Sequence, residues 1–260
     1  MTYTLLFDLD DTLLDTNIES FVPAYFQALS THLEPYVPSN VMLPALISAM
    51  NLMMESEDLS RTLKEVFDED FYEKIGVPAP DLEEIIEDFY DNEFPKLRAT
   101  TDTRPDAVTL IEWAVSQGCR IAIATDPLFP RKATYHRLRW AGFEPEQFEL
   151  ISSFENFHFS KTHTAYYAEM LGQLGWPDGP ALMIGNDLQR DILTADKFGL
   201  KTYLINGKSA SSSGPEAGRG KLSDFRLWLE SQNPSGLEPS FKSPEATIAI
   251  LSSTPAVMDS

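Results

Sequence analysis

Four groups of polar residues carry the types and spacing that acid–base and phosphoryl chemistry require: Asp8, Asp10 and Thr12; Thr125 and Asp126; Lys161; and Asn186, Asp187 and Asp191. An ionised carboxylate acts as a nucleophile when it is held and aimed. Asp8 lies in a short apolar run, YTLLFDL over residues 3–9, that supplies a rigid mount. A second carboxylate two residues on, Asp10, meets the need for a group that protonates a leaving oxygen and later activates water, provided the chain turns there. Charge developing on phosphoryl oxygens is neutralised by a metal ion, an ammonium group and hydroxyl or backbone donors. Lys161, Thr12 and Thr125 offer the ammonium and the hydroxyls. Mg²⁺ takes hard oxygen ligands, usually a few carboxylates plus waters. Asp8 with an oxygen from the 186–187 region fits that demand.

These groups act together only if the fold makes them converge. Residues 3–9 read as a buried strand. Further strands are expected at 120–124 (RIAIA), 148–153 (FELISS), 181–185 (ALMIG) and 201–205 (KTYLI), with helices at 105–117, 131–141, 163–174, 191–199 and 222–230. The helix at 105–117 should end at Gly118 in a left-handed cap. Alternation of strands and helices predicts an α/β fold, a Rossmann-like parallel sheet flanked by helices. In such sheets ligands bind at the C-terminal ends of the strands, where all four polar groups fall.

Residues 16–98 break the alternation. Apolar runs such as FVPAYFQALSTHL, LPALISAMNLMM and LEEIIEDFYDNEF have helical period, which predicts about four helices inserted into the core of residues 1–15 and 99–207. Met50, Met53 and Met54 read as packing residues. Residues 208–220 (KSASSSGPEAGRG) have the composition of a flexible linker, and Ser243-Pro244-Glu245 resembles a helix start. Residues 208–260 are therefore expected to form a tail that leaves the site intact when removed.

Twenty basic against forty acidic residues give a net charge of −20, which argues against a nucleic-acid partner. It also repels anionic substrates, so a local cation is needed at any phosphate site. No stretch approaches the ~20 apolar residues of a membrane helix. The opening MTYTLLFDLDD lacks a basic segment, and Cys119 is the single cysteine, so a cytoplasmic protein is expected. His158 and His163 read as surface residues, and Trp140, Trp176 and Trp228 as packing residues.

The ordered motifs resemble the haloacid dehalogenase (HAD) superfamily of hydrolases, subclass I with a helical cap. Asp8-Leu9-Asp10-Asp11-Thr12 matches the first motif, DxDxT; Thr125 after IAIA matches the second; Lys161 in SKTHTAYY matches the third; MIGNDLQRDI matches the fourth. The resemblance implies that Asp8 is the nucleophile that forms an aspartyl-phosphate, and that Asp10 is general acid and base while its carbonyl binds Mg²⁺. It implies that Thr125 and Lys161 contact the phosphate, and that the fourth motif completes the metal site. The implied function is Mg²⁺-dependent hydrolysis of a small phosphorylated metabolite.

Departures are informative. The fourth motif usually opens Gly-Asp, whereas Asn186 follows Gly185 here, so Asn186 or Asp187 is the candidate ligand, with Asp191 as ligand or support. Asp126 stands where relatives often carry Asn and is a candidate for orienting substrate or facing the cap. The alternatives are a phosphomutase, a 2-haloacid dehalogenase and a non-catalytic binding protein on this fold. Relatives that cleave carbon–halogen bonds typically lack the second aspartate, so Asp10 lowers the dehalogenase reading.

Overall fold

β1 (Thr4–Phe7) is the centre of the molecule, because both its faces are covered. Leu5 and Phe7 enter one apolar cluster and Leu6 the other, and all three are fully buried. The computed structural model describes residues 2–205 and 214–232; the helix expected from Ser243 lies outside them. After β1 the chain forms β2 (Leu14–Thr16) and then four helices: α1 (Ile18–Leu33), α2 (Ser39–Glu55), α3 (Leu63–Ile75) and α4 (Ala79–Asp88). A π-type turn at Phe89–Glu93 and a 3₁₀ segment at Phe94–Thr100 lead into β3 (Thr101–Thr103). There follow α5 (Pro105–Ser116), β4 (Arg120–Ile123), α6 (Arg131–Trp140), β5 (Leu150–Ile151), α7 (Thr164–Gln173) and β6 (Ala181–Gly185). A second π-type turn at Leu188–Leu193, α8 (Thr194–Phe198), β7 (Lys201–Ile205), β8 (Gly218–Gly220) and α9 (Leu222–Ser231) complete the described chain.

Six parallel strands form one sheet in the order β5-β4-β1-β6-β7-β8. This is the expected Rossmann-like α/β core. β4 and β6 repeat the alternation of β1: Ile121, Ile123, Leu182 and Ile184 face one cluster, Ala122 and Met183 the other. Continuous apolar runs are what a parallel sheet buried on both faces requires. Gly118 ends its helix at φ +72°, as the sequence suggests.

Two elements differ from the sequence reading. β2 and β3 pair antiparallel, Leu14 with Thr103 and Thr16 with Thr101, and form the two-stranded stem on which the α1–α4 insertion is mounted. The expected linker at 208–220 contributes β8, and α9 belongs to the core. The Phe225 ring packs edge-on against Phe7 at 5.9 Å and against Tyr203 at 4.9 Å. A Gly/Ser-rich composition hides a three-residue strand because pairing with β7 supplies order that local propensity does not.

The insertion is fastened to the core near Lys161. The carbonyl of Met54, one of the last of α2, accepts from Ser160 Oγ (3.2 Å) and Thr162 Oγ1 (3.2 Å) and bonds His163 Nε2 (2.9 Å). The first N–H groups of α3, at Leu63 and Lys64, donate to the carbonyls of Phe157 and Phe154, both at 2.8 Å. Helix ends have such unpaired groups to offer, so they are natural docking points.

Candidate active site

Asp8 follows β1, and its backbone N–H donates to the carbonyl of Ile184 at 2.9 Å, so the sheet itself fixes the carboxylate. The chain then turns sharply. Asp11 sits at φ +58°, in the left-handed region that only a short polar side chain tolerates well, and Leu13 and Leu14 both donate to the Leu9 carbonyl at 2.9 Å. This turn brings the Thr12 hydroxyl back to within 3.2 Å of Asp8 Oδ2.

The other oxygen of Asp8 is held by Lys161, whose Nζ donates to Oδ1 at 2.8 Å and also pairs with Asp191. Lys161 and Asp191 are almost fully buried. Burial works to lower the Lys161 pKa, but the charges of Asp191 and Asp8 outweigh it, so the ammonium is held above the ordinary lysine value. Burial pushes the Asp191 carboxyl upward, opposed by Lys161. Asp191 Oδ2 accepts from the backbone N–H of Asp187 at 2.9 Å and lies over Gly185. A Cβ on Gly185 would come within 2.1 Å of that oxygen, which is why the strand ends in glycine.

The two candidate metal positions in the fourth motif have different fates. The Asn186 side-chain amide lies beside Asp8. Assigned with its NH₂ inward, it donates to Asp8 Oδ2 (3.2 Å), the Asp10 carbonyl (3.1 Å) and Thr12 Oγ1 (3.1 Å); assigned the other way, its oxygen faces Asp8 Oδ2 and the Asp10 carbonyl. Asp187 instead caps the next turn, accepting from the N–H groups of Gln189 and Arg190 at 2.9 Å, and pairs with the Arg190 guanidinium. Burial works to raise the Asp187 carboxyl, and the Arg190 contacts more than offset this and lower it. Asp187 is thus committed to Arg190 and the following turn, whereas Asp191 shares Lys161 with Asp8.

A divalent ion fits the corner by donor chemistry. Among the described residues no three His, Cys, Asp or Glu side chains form a metal cluster. The set here is one carboxylate, one main-chain carbonyl and one amide. In an octahedral Mg²⁺ shell with ligands at ~2.1 Å, adjacent oxygens stand about 3.0 Å apart. The Asn186 atom stands 3.1 and 3.2 Å from its two neighbours. With its oxygen inward, three oxygen donors would face one another, an arrangement that a hard cation stabilises.

The profile of the haloacid dehalogenase-like hydrolases matches residues 5–205. The chain belongs to this family. No curated protein matches it by sequence. Among solved structures it is similar to a HAD phosphatase from Thermococcus onnurineus, at 19% identity, TM-score 0.57, over 92% of this chain and 100% of that one. It is also similar to 2-haloacid dehalogenase from Pseudomonas syringae pv. Tomato DC3000, at 19% identity, TM-score 0.58, over 88% and 99%. A third is the HAD-hydrolase YfnB from Bacillus subtilis, a structure bound to magnesium, at 22% identity, TM-score 0.53, over 88% and 99%. These likenesses establish the shared fold. Among the described residues no helix is long and apolar enough to cross a membrane.

In this haloacid dehalogenase-like hydrolase the remaining expected residues also gather at the sheet edge. The Thr125 carbonyl is anchored by Ser152 Oγ (2.7 Å) and Tyr166 Oη (3.0 Å). Asp126 accepts from the Lys161 N–H at 3.2 Å and from Arg190 Nη1 at 3.1 Å, so it orients the Lys161 loop. His158 pairs with Glu169 at 2.6 Å, away from these groups.

One residue was not anticipated. Asp10 accepts from Thr16 Oγ1 at 2.9 Å through one oxygen and pairs with Arg137 through the other. The Arg137 side chain is 1% exposed, donates to Thr134 Oγ1 at 3.2 Å, and lies over the Phe129 ring at 4.5 Å. Burial pushes the Asp10 carboxyl above its ordinary value, with Arg137 opposing and the Asp8 charge adding to the rise. A signal for Arg137 does exist in the sequence. It shares the inward stripe of α6 with Ala133, Thr134 and Leu138, where an arginine needs a buried acid.

Proposed function

We propose that the chain is a Mg²⁺-dependent phosphohydrolase acting on a small phosphate monoester through an aspartyl-phosphate. The observation that carries this reading is Asp10, a second carboxylate turned in beside Asp8 and steered by Arg137 and Thr16. A halide departs as a stable anion and needs no proton, whereas an alkoxide leaving from phosphorus does. A site that maintains an acid next to its nucleophile is therefore built for ester cleavage. Burial and the Asp8 charge push the Asp10 carboxyl upward against Arg137, the direction a general acid needs.

Asp8 Oδ2, the Asp10 carbonyl and Asn186 would hold the ion, which supplies charge neutralisation for the phosphoryl oxygens when bound. Asp8 Oδ1, beside Lys161, is the oxygen free to attack. It forms a bond to phosphorus as the ester P–O bond breaks, and the leaving oxygen takes the proton from the Asp10 carboxyl. A water then loses a proton to Asp10 and attacks phosphorus. The Asp8–phosphorus bond breaks, and phosphate and the starting carboxylate are released. Lys161 offsets charge on the transferring group throughout.

The test is phosphate release from p-nitrophenyl phosphate and a panel of esters, with Mg²⁺ and with EDTA, alongside chloride release from 2-chloropropionate. Phosphate release that requires Mg²⁺ and falls by at least ~10⁴-fold in Asp8→Asn, with an unchanged melting temperature, is expected. Chloride release without phosphate release would overturn the reading.

A further inference from the structure

A cavity of about 280 Å³ lies between the inserted helices and the core loops at Leu128–Pro130 and Phe154–Glu155. That is at the small end of ligand pockets, which run from ~300 to 1,000 Å³. Seven aromatic rings line it, among them Tyr25, Phe67, Phe71, Tyr90, Phe129 and Phe154. Its charged lining is unbalanced, with Lys64 and Lys132 against Asp68, Glu83, Glu87 and Glu155. Both lysines are already committed. Lys64 pairs with Asp68, and Lys132 pairs with Glu87 at 2.5 Å and with Asp91 at 2.7 Å.

Two side chains, Phe129 and Arg137, link the wall of the cavity to Asp10. The Phe129 ring that lines it also supports the Arg137 guanidinium, and Arg137 holds Asp10. Leu128, also in the wall, donates its N–H to the Asp126 carbonyl at 2.8 Å, and Asp126 orients the Lys161 loop.

We propose that this cavity receives the leaving-group half of the substrate, and that the substrate is a phosphate monoester with an apolar, aromatic and uncharged body. This rests on the phosphohydrolase reading. A second anionic group on the body, as in phosphoglycolate or a sugar bisphosphate, would meet excess carboxylate charge with no cation left to pair with, which costs affinity. An aromatic body gains edge and face contacts with the rings and loses only water. One neutral polar handle is present. Tyr25 and Tyr90 bond each other through their hydroxyls at 2.9 Å, so one O–H proton is left over from that bond. Burial raises both phenols, Tyr25 to about 12, which keeps the handle uncharged.

Two measurements test this on the full chain with Mg²⁺. The first compares kcat/KM for 1-naphthyl phosphate with that for phosphoglycolate and glycerol phosphate. The second repeats it in Ile86→Trp, a half-buried cavity position chosen to fill the space, and in Met50→Trp should the first variant not fold, with 1-naphthol binding followed by fluorescence. Naphthyl phosphate should be preferred by at least ~10-fold, the worth of burying one ring. Filling should raise its KM about 10-fold and abolish naphthol binding. Phosphoglycolate turned over faster than naphthyl phosphate, or filling without effect on naphthol binding, would overturn the cavity assignment and leave the phosphohydrolase reading standing. Naphthol binding with no turnover of any ester would overturn the phosphohydrolase reading and the substrate class with it.

Discussion

The edge of the sheet and the cavity under the inserted helices lie side by side and are built on opposite principles. At the sheet edge nearly every charge has a fixed partner: Asp8 with Lys161, Lys161 with Asp191, Asp10 with Arg137, and Asp126 and Asp187 with Arg190. In the cavity the lining is rich in rings and carries more carboxylates than cations, with both lysines already paired. The first arrangement determines which bond is broken. The second determines what body that bond is attached to. Arg137 links the two, since its guanidinium holds Asp10 and rests on the Phe129 ring of the cavity wall.

After the nucleophile itself, the Asp10–Arg137 pair gives the largest effect within reach of mutation. Asp10→Asn should lower kcat by ~10²–10⁴-fold, the usual worth of general acid–base catalysis. The loss should be smaller with p-nitrophenyl phosphate, whose leaving group needs little protonation, than with an alkyl phosphate. Arg137→Met should show the same leaving-group dependence at a smaller magnitude. If Arg137 acts through Asp10, the double variant will be no worse than Asp10→Asn alone, whereas additive losses would make Arg137 merely structural. Rescue by Arg137→Lys would be partial, because an ammonium cannot serve Asp10 and Thr134 in the same plane.

Gly185→Ala ranks next. The new Cβ would drive the Asp191 carboxylate off its seat and leave Lys161 with one partner. A misplacement of about 1 Å in such a site costs ~10²-fold in kcat, and the overpacking costs about 3 kcal/mol in stability. A melting temperature and rate equal to the parent's would show that the fourth motif has slack. A structural counterpart is Phe225→Ala. Its ring is fully buried against Phe7 and Tyr203, directly behind the nucleophile's strand. Truncation should cost ~3–5 kcal/mol by urea unfolding. A loss under 1 kcal/mol would favour the expectation that residues 208–260 are a tail whose removal leaves the site intact.

The contrast also explains what the sequence could convey. β1, β4, β6 and β7 are legible because a strand buried on both faces must be an unbroken apolar run, and the polar residues that follow such runs are exposed by their position alone. Asp8, Thr125 and Asn186 were accessible in this way. The β2–β3 stem and β8 were not, because three-residue strands carry no period and depend on their partners. Asp187 is ambiguous in sequence, since its neighbour Asn186 has the same reach; only the cap it makes on the following turn separates them. The cavity is illegible because its rings come from α1, α3, the 89–93 turn and two core loops, and nothing in their spacing says that they meet.

Asn186 offers the smallest and sharpest prediction about the sheet edge. Its amide can present either nitrogen or oxygen to Asp8 Oδ2 and the Asp10 carbonyl. With nitrogen inward it ties the corner together without an ion; with oxygen inward it serves as a ligand. An aspartate at this position has only the second option. Asn186→Asp should therefore lower the melting temperature in EDTA, where two carboxylates face each other, and raise it in Mg²⁺. By titration calorimetry Mg²⁺ should bind at least ~10-fold more tightly, since one added charge within about 4 Å of the ion is worth several kcal/mol before desolvation is subtracted. The opposite signs in the two buffers are the signature. A variant that loses stability equally in both would show that the ion does not sit at this corner, and one unaffected in EDTA would show that the amide nitrogen holds nothing together.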